Sequence, residues 1–174
     1  MKSHYQKNCI IRSGVTLLMS ISLFFLMISS AVIAQEHGKM SNNPDHIIVM
    51  PETLKWTDGP ASLPPGAKFA VIDGDPKVAA LFAMRIWLPA GFKIQPHWHP
   101  AEEHVTVISG SFLMGLGDKF EDNKLQVIPV GGFAVMKTGT RHFAMTKEES
   151  IIQLHGMGPW GINYVNPADD PRNK

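Results

Sequence analysis

Two histidines one residue apart, His97-Trp98-His99, with Glu103 four residues further on, form the most chemically loaded stretch of this sequence. Imidazole nitrogens and carboxylate oxygens are the donors that zinc and the first-row transition metals take when no thiolate is at hand. On an extended strand alternate residues share a face, so His97, His99 and Glu103 are expected to project to one side together. Val105 and Val107 continue that face and mark it as interior. Two imidazoles and a carboxylate in an apolar interior are costly unless something binds them, and a divalent cation is the usual answer. The same alternation sends Glu102 and His104 outward, as surface groups rather than ligands.

A second segment, residues 131–146, supplies a further imidazole, His142, just after the turn residues Thr138-Gly139. Both segments resemble the two sequence motifs of the cupin superfamily. The first has the opening glycine Gly91, the pair His97 and His99, Glu103 and the closing glycine Gly110, all at the family's spacing; the second has Gly131, Gly139 and His142. Two positions depart from the family pattern: Lys137 stands where a proline is usual and Thr146 where an asparagine is usual.

The resemblance covers residues 79–155. It implies a small jelly-roll β-barrel whose mouth holds one divalent transition metal through His97, His99, Glu103 and His142. With nitrogen and oxygen ligands only, Fe, Mn, Ni, Cu, Co and Zn are all chemically compatible. Four protein donors leave two positions of an octahedral centre for water, dioxygen or a chelating substrate, which is a catalytic layout rather than a closed structural one. Cupins with this ligand set include oxygenases that cleave enols or aromatic rings, decarboxylases and some isomerases. The expectation is therefore a dioxygenase-type enzyme acting on a small enolic or aromatic substrate, with Glu103 serving both as ligand and as catalytic base. A non-catalytic exported metal- or small-ligand-binding protein is the alternative, and a structural or interaction protein a third reading.

Other residues are candidates for the cavity around such a metal. Gln153 and His155 share one face of a late strand and are expected either to line the cavity or to sit as satisfied polar groups near the rim. Met84, Met114, Met136 and Met145, with Phe82, Phe112, Phe133 and Phe143, could build an apolar pocket or simply fill the core. Trp87, Trp98 and Trp160 carry the same ambiguity.

The elements that must position these groups are short strands. From Trp56 onward turn signals recur about every ten residues, among them Asp58-Gly59-Pro60, Asp73-Gly74-Asp75-Pro76, Ser109-Gly110 and Gly131-Gly132. Runs rich in Val, Ile, Phe and Met lie between them, the pattern of an all-β sandwich or barrel. The spacing predicts a strand over 79–88 pairing with residues 68–72 across the Asp-Gly turn. No internal repeat is visible, so a single barrel over 52–174 is expected.

The first 34 residues read differently. Lys2, Lys7 and Arg12 precede an apolar run over 15–28, which ends in small residues up to Ala34, the order of a secretory signal peptide cut before Gln35. An uncleaved membrane anchor is the alternative. Residues 35–51 are polar and aperiodic, a flexible lead-in. Cleavage removes three of the sixteen basic residues and the one cysteine, Cys9, leaving thirteen basic against fifteen acidic residues. That near-neutral balance does not suit nucleic acid. The absence of cysteine after cleavage rules out disulfides and thiolate ligands in the mature chain. The expected product is exported, periplasmic or secreted, without stable membrane association. Its expected partners are a small-molecule ligand and, by default for cupin barrels, a second copy in a homodimer.

Overall fold

A computed structural model describes residues 46–174. The leader expected over 1–34 and most of the lead-in over 35–51 lie outside the described residues. Among the described residues eleven strands follow one another, with only single-turn 3-10 helices before, between or after them: β1 (Thr57–Asp58), β2 (Lys68–Asp73), β3 (Leu81–Leu88), β4 (Lys93–Trp98), β5 (Glu103–Ser109), β6 (Phe112–Leu116), β7 (Gln126–Ile128), β8 (Phe133–Met136), β9 (His142–Met145), β10 (Ser150–Met157) and β11 (Asn163–Tyr164). They form two antiparallel sheets, ordered β1-β2-β3-β10-β5-β8 and β11-β4-β9-β6-β7. This is the all-β double-sheet barrel expected from the turn spacing.

Strand periodicity explains the core. In β3, Phe82, Met84, Ile86 and Leu88 are buried while the residues between them are not. In β5 the buried set is Glu103, Val105 and Val107, and in β10 it is Ser150, Ile152 and Leu154. β10 pairs with both β3 and β5, which brings these three rows side by side as one inner wall. The period of two therefore places a carboxylate, Glu103, on a wall whose other members are apolar apart from Ser150.

Two expectations need correction. The strand expected from residue 79 begins at Leu81, because residues 75–80 are held in turns: the Lys77 N–H donates to Asp75 Oδ1, Val78 N–H to the Asp75 carbonyl and Ala80 N–H to the Val78 carbonyl. More important, His97, His99 and Glu103 do not ride on one strand. β4 ends at Trp98 in one sheet and β5 begins at Glu103 in the other, with His99 and Pro100 in the corner between them. Pro100 has no N–H to give to a ladder, so the strand cannot continue through it. The His99 carbonyl instead accepts the Gly139 N–H at 3.0 Å. The three side chains converge because the two sheets face each other, not because one strand alternates.

Two of the motif glycines have a clear steric role. Gly110 has φ +70°, and a Cβ there would collide with the Glu149 carbonyl and Ser150 Oγ. Gly139 has φ +75° in the turn that leads into His142. Both conformations are open to glycine and strained for other residues.

Candidate metal centre

His97 reaches the interior through a defect in its strand. The pairing of β4 with β9 matches Ile94 to Ala144 and His97 to His142, so β4 carries one extra residue between those pairs. Pro96 lies in that stretch, where a residue without an N–H is tolerated because the ladder is already interrupted. The neighbouring Gln95 carbonyl accepts the Nδ1–H of His97 at 2.8 Å.

The other two histidines are held in the same manner. His99 Nδ1 donates to the Gly161 carbonyl at 2.7 Å, and His142 Nδ1 donates to the Thr140 carbonyl at 2.9 Å. A carbonyl can only accept, so in all three rings Nδ1 carries the hydrogen. In a neutral ring Nε2 is then a bare lone pair, and the arrangement is the one that orients metal-binding imidazoles in general. One nitrogen from each of His97, His99 and His142 lies within 4.8 Å of the others. Two nitrogens bound to one ion at about 2.1 Å are at most about 4 Å apart, so a small inward movement suffices for bridging.

Glu103 closes the group from the opposite sheet. Its Oε1 lies 3.5 Å from His99 Nε2 and its Oε2 lies 3.3 Å from His142 Nε2. It is not part of the tight three-nitrogen cluster. All four residues are buried, with at most 5% of their surface exposed. A carboxylate facing bare imidazole nitrogens in a dry site is repulsive unless a cation, proton or metal, lies between them. His99 Nε2 is in fact buried without any hydrogen-bond partner.

The titration tendencies point to a neutral His97 and an ionised Glu103. Burial, reinforced by His142 and His99, pushes the His97 imidazole down to about 3. Burial pushes the Glu103 carboxyl up, but attraction to His99 and hydrogen bonding with His142 and His99, which operate when those rings carry a proton on the nitrogen facing the acid, outweigh it and hold the acid below the usual carboxylate range. Neutral imidazoles beside an ionised carboxylate are the protonation states a divalent transition metal requires.

The group forms the polar corner of a cavity of about 350 Å³. Most of the remaining wall is apolar, built by Met84, Ile86, Ile94, Phe112, Ile152 and Leu154 from both sheets, with Ser62 and Lys77 also bordering the cavity. The segment after β10 closes one side. Trp160 stacks on the His99 ring with centroids 4.4 Å apart and planes 21° apart, and leans against Phe82. Tyr164 of β11 is the cross-strand partner of His97, and its hydroxyl donates to the Ser62 carbonyl at 2.8 Å.

Of the residues singled out in the sequence, His97, His99, Glu103 and His142 come together, and Met84, Met114, Phe112 and Trp160 line the cavity. Glu102 and His104 point away from it, as alternation requires: His104 Nε2 donates to Glu102 Oε1 at 2.7 Å, and Lys137 Nζ donates to Glu102 Oε2 at 2.7 Å. Gln153 and His155 do not line the cavity. On β10 it is Ile152 and Leu154 that face inward, so the residues between them face out. Gln153 accepts from Arg85 at 3.2 Å, and His155 packs edge-on against His104 with centroids 4.9 Å apart. Phe82 and Phe143 are core, and Phe133 is 55% exposed.

Sequence reasoning missed the Gly161 carbonyl and the stacking of Trp160 on His99. The first is a backbone contact between residues 62 positions apart, for which no side-chain pattern exists. The two departures from the cupin motif each have a structural use. Thr146 is fully buried, donating to the Pro89 carbonyl at 2.6 Å and accepting the Phe92 N–H at 3.1 Å, so it ties the two ends of a loop together. Lys137 makes the ion pair with Glu102.

Comparison with known proteins places this geometry. Residues 25–161 match the model of a family described as a domain of unknown function, DUF4437. No curated protein matches the chain. Among solved structures, the polyketide cyclase RemF from Streptomyces resistomycificus is 16% identical with a TM-score of 0.59, over 74% of this chain and 91% of that one. A candidate acetylacetone dioxygenase from Methylibium petroleiphilum PM1 is 16% identical with a TM-score of 0.56, over 76% and 90%. An RmlC-like cupin from Shewanella frigidimarina NCIMB 400 is 18% identical with a TM-score of 0.50, over 64% and 90%. At these identities the likeness is one of fold, and the fold is the cupin barrel.

Proposed function

Given that the chain belongs to the DUF4437 family and folds as a cupin barrel, we propose that it is a metal-dependent, oxygenase-type enzyme acting on a small enolic or aromatic substrate. His97, His99, His142 and Glu103 would hold one divalent transition metal. The observation that carries this reading is the set of three buried imidazoles, each tied to a backbone carbonyl through Nδ1, with an ionised carboxylate against two of the remaining nitrogens. A metal there supplies a Lewis acid for substrate oxygen and, if redox-active, an electron-transfer centre. The Nδ1 anchors fix the direction of the rings, so the site is organised before ligand arrives. The apolar wall excludes water from whatever occupies the cavity. Glu103, held ionised, can accept a proton at a carboxylate oxygen from an acidic C–H or O–H of the substrate.

Two proteins of this fold bear the names of a cyclase and a candidate dioxygenase, so the barrel accommodates catalysis, although fold alone does not fix a reaction. One observation favours the alternative of a non-catalytic binding protein. Among the described residues lining the cavity, no acid or base other than the proposed ligands is buried beside the site. Oxygen uptake separates the two. The iron- or manganese-loaded chain is expected to consume oxygen with a 1,3-dicarbonyl or catecholic substrate, and Glu103→Gln to lose that uptake. Saturable binding with no turnover across such a panel would favour the binding protein. Export through a leader ending at Ala34 belongs to the same proposal; N-terminal sequencing of the native protein is expected to begin at Gln35, and a retained Met1 would contradict it.

A further inference from the structure

We infer that the ligand of this cavity is a small monoanion that chelates through two neighbouring oxygens and carries an apolar body, and that sugars and dicarboxylates are excluded by the wall. The inference rests on the metal reading above and adds a substrate class to it. The first argument is charge. All three imidazoles spend their Nδ1–H on backbone carbonyls, and Glu103 is the one carboxylate among the described residues lining the cavity. A divalent ion at this corner leaves one net positive charge in a dry site. A monoanion cancels it, a neutral ligand leaves it unpaired, and a dianion replaces it with an unpaired negative charge.

The second argument is the wall. Met84, Ile86, Ile94, Phe112, Ile152 and Leu154 offer no hydrogen-bond donor, and only thioether sulfur as a weak acceptor; the buried unpaired donor that does line the cavity, Trp160 Nε1–H, sits on the ring stacked against His99 at the metal corner. Sugar hydroxyls or a second carboxylate placed against the apolar side chains would lose their water and gain no partner. Lys77 also borders the cavity but is exposed, where it attracts anions to the mouth without furnishing a buried partner. The third argument is size: about 350 Å³ is near the lower end of the roughly 300–1,000 Å³ of small-molecule sites. The two oxygens follow from four protein donors, which leave two positions in a six-coordinate centre.

Calorimetric titration of the zinc-loaded chain with 2-oxohexanoate and with 2-oxoglutarate tests this directly. The two probes share an α-keto carboxylate head and differ in ending on a methyl or a carboxylate. Zinc is redox-inert, so binding is read without turnover. The expected result is at least tenfold tighter binding of 2-oxohexanoate, with neither probe binding the metal-free chain. Equal or tighter binding of 2-oxoglutarate would overturn the inference and assign its tail to Lys77. Failure of both probes on a chain that holds one equivalent of zinc would overturn it as well. A chain that takes up no zinc would instead defeat the metal reading, and the substrate class with it.

Discussion

Two sets of histidines occupy opposite sides of the barrel wall, and their surroundings differ in every respect that matters for chemistry. Inside, His97, His99 and His142 are 1–3% exposed and anchored by backbone carbonyls. Outside, His104 has a ring 30% exposed and is matched by Glu102, which also takes Lys137. His155 stands beside it against Phe133. Glu103 and His104 are consecutive residues of β5, yet one faces the inner cluster and the other faces water. A single step along a strand thus separates a buried acid with an unmet need for a cation from a solvated ion pair that needs nothing. Composition does not distinguish the two sets; the backbone carbonyls aimed at the inner rings do.

This contrast is sharpest under ligand deletion. Loss of an inner ring, His99→Ala or His142→Ala, is expected to lower metal affinity by at least about a hundredfold, measured by competition with a chromophoric chelator. His104→Ala and His155→Ala are expected to leave affinity within about twofold. A comparable loss from the outer pair would break the distinction.

The loss of stability in acid should come from the inner set. His97 is held far below its unfolded value near 6.5, so between about pH 6.5 and 3 the unfolded chain binds a proton that the folded metal-free chain refuses. Stability then falls as pH falls through that window, by an amount on the order of a few kcal/mol. Glu103, depressed in the fold, adds loss in the same direction as pH drops past the ordinary carboxylate range. Denaturant titrations of metal-free protein at pH 7 and pH 4.5 should show this drop, and His97→Gln should shrink it. An unchanged drop in His97→Gln would remove His97 as its source.

Smaller effects refine the boundary between site and scaffold. Thr146→Val removes one buried donor and acceptor and leaves the Phe92 N–H only its longer bond to the Pro89 carbonyl at 3.3 Å, costing about 1–3 kcal/mol of stability with metal stoichiometry intact. Trp160→Ala exposes one face of His99 and is expected to weaken metal binding by about tenfold. If Trp160→Ala lowered stability but left affinity alone, the tryptophan would be core packing only.

Much of this was legible in the residue order, and the exceptions have specific causes. Strand period and turn chemistry suffice for the barrel, and the spacing of Gly91, His97, His99, Glu103 and Gly110 suffices for its type. The route by which His99 meets Glu103 was not legible, because a turn into the facing sheet at Pro100 and a continuing strand leave similar residue patterns. Gln153 and His155 stayed open between cavity and rim because alternation defines two faces without saying which is inner. Ile152 and Leu154 settle that only once β10 is known to lie between β3 and β5. The anchors of the imidazoles are carbonyls of Gln95, Thr140 and Gly161, and a carbonyl leaves no mark in a sequence.

The most direct test of the central claim is elemental mass spectrometry of the chain purified without added metal, beside a His97→Ala/His99→Ala control. About one equivalent of a divalent transition metal in the natural chain, absent from the control, is the expected result. No metal in either protein, or equal metal in both, would contradict the assignment of the inner histidines.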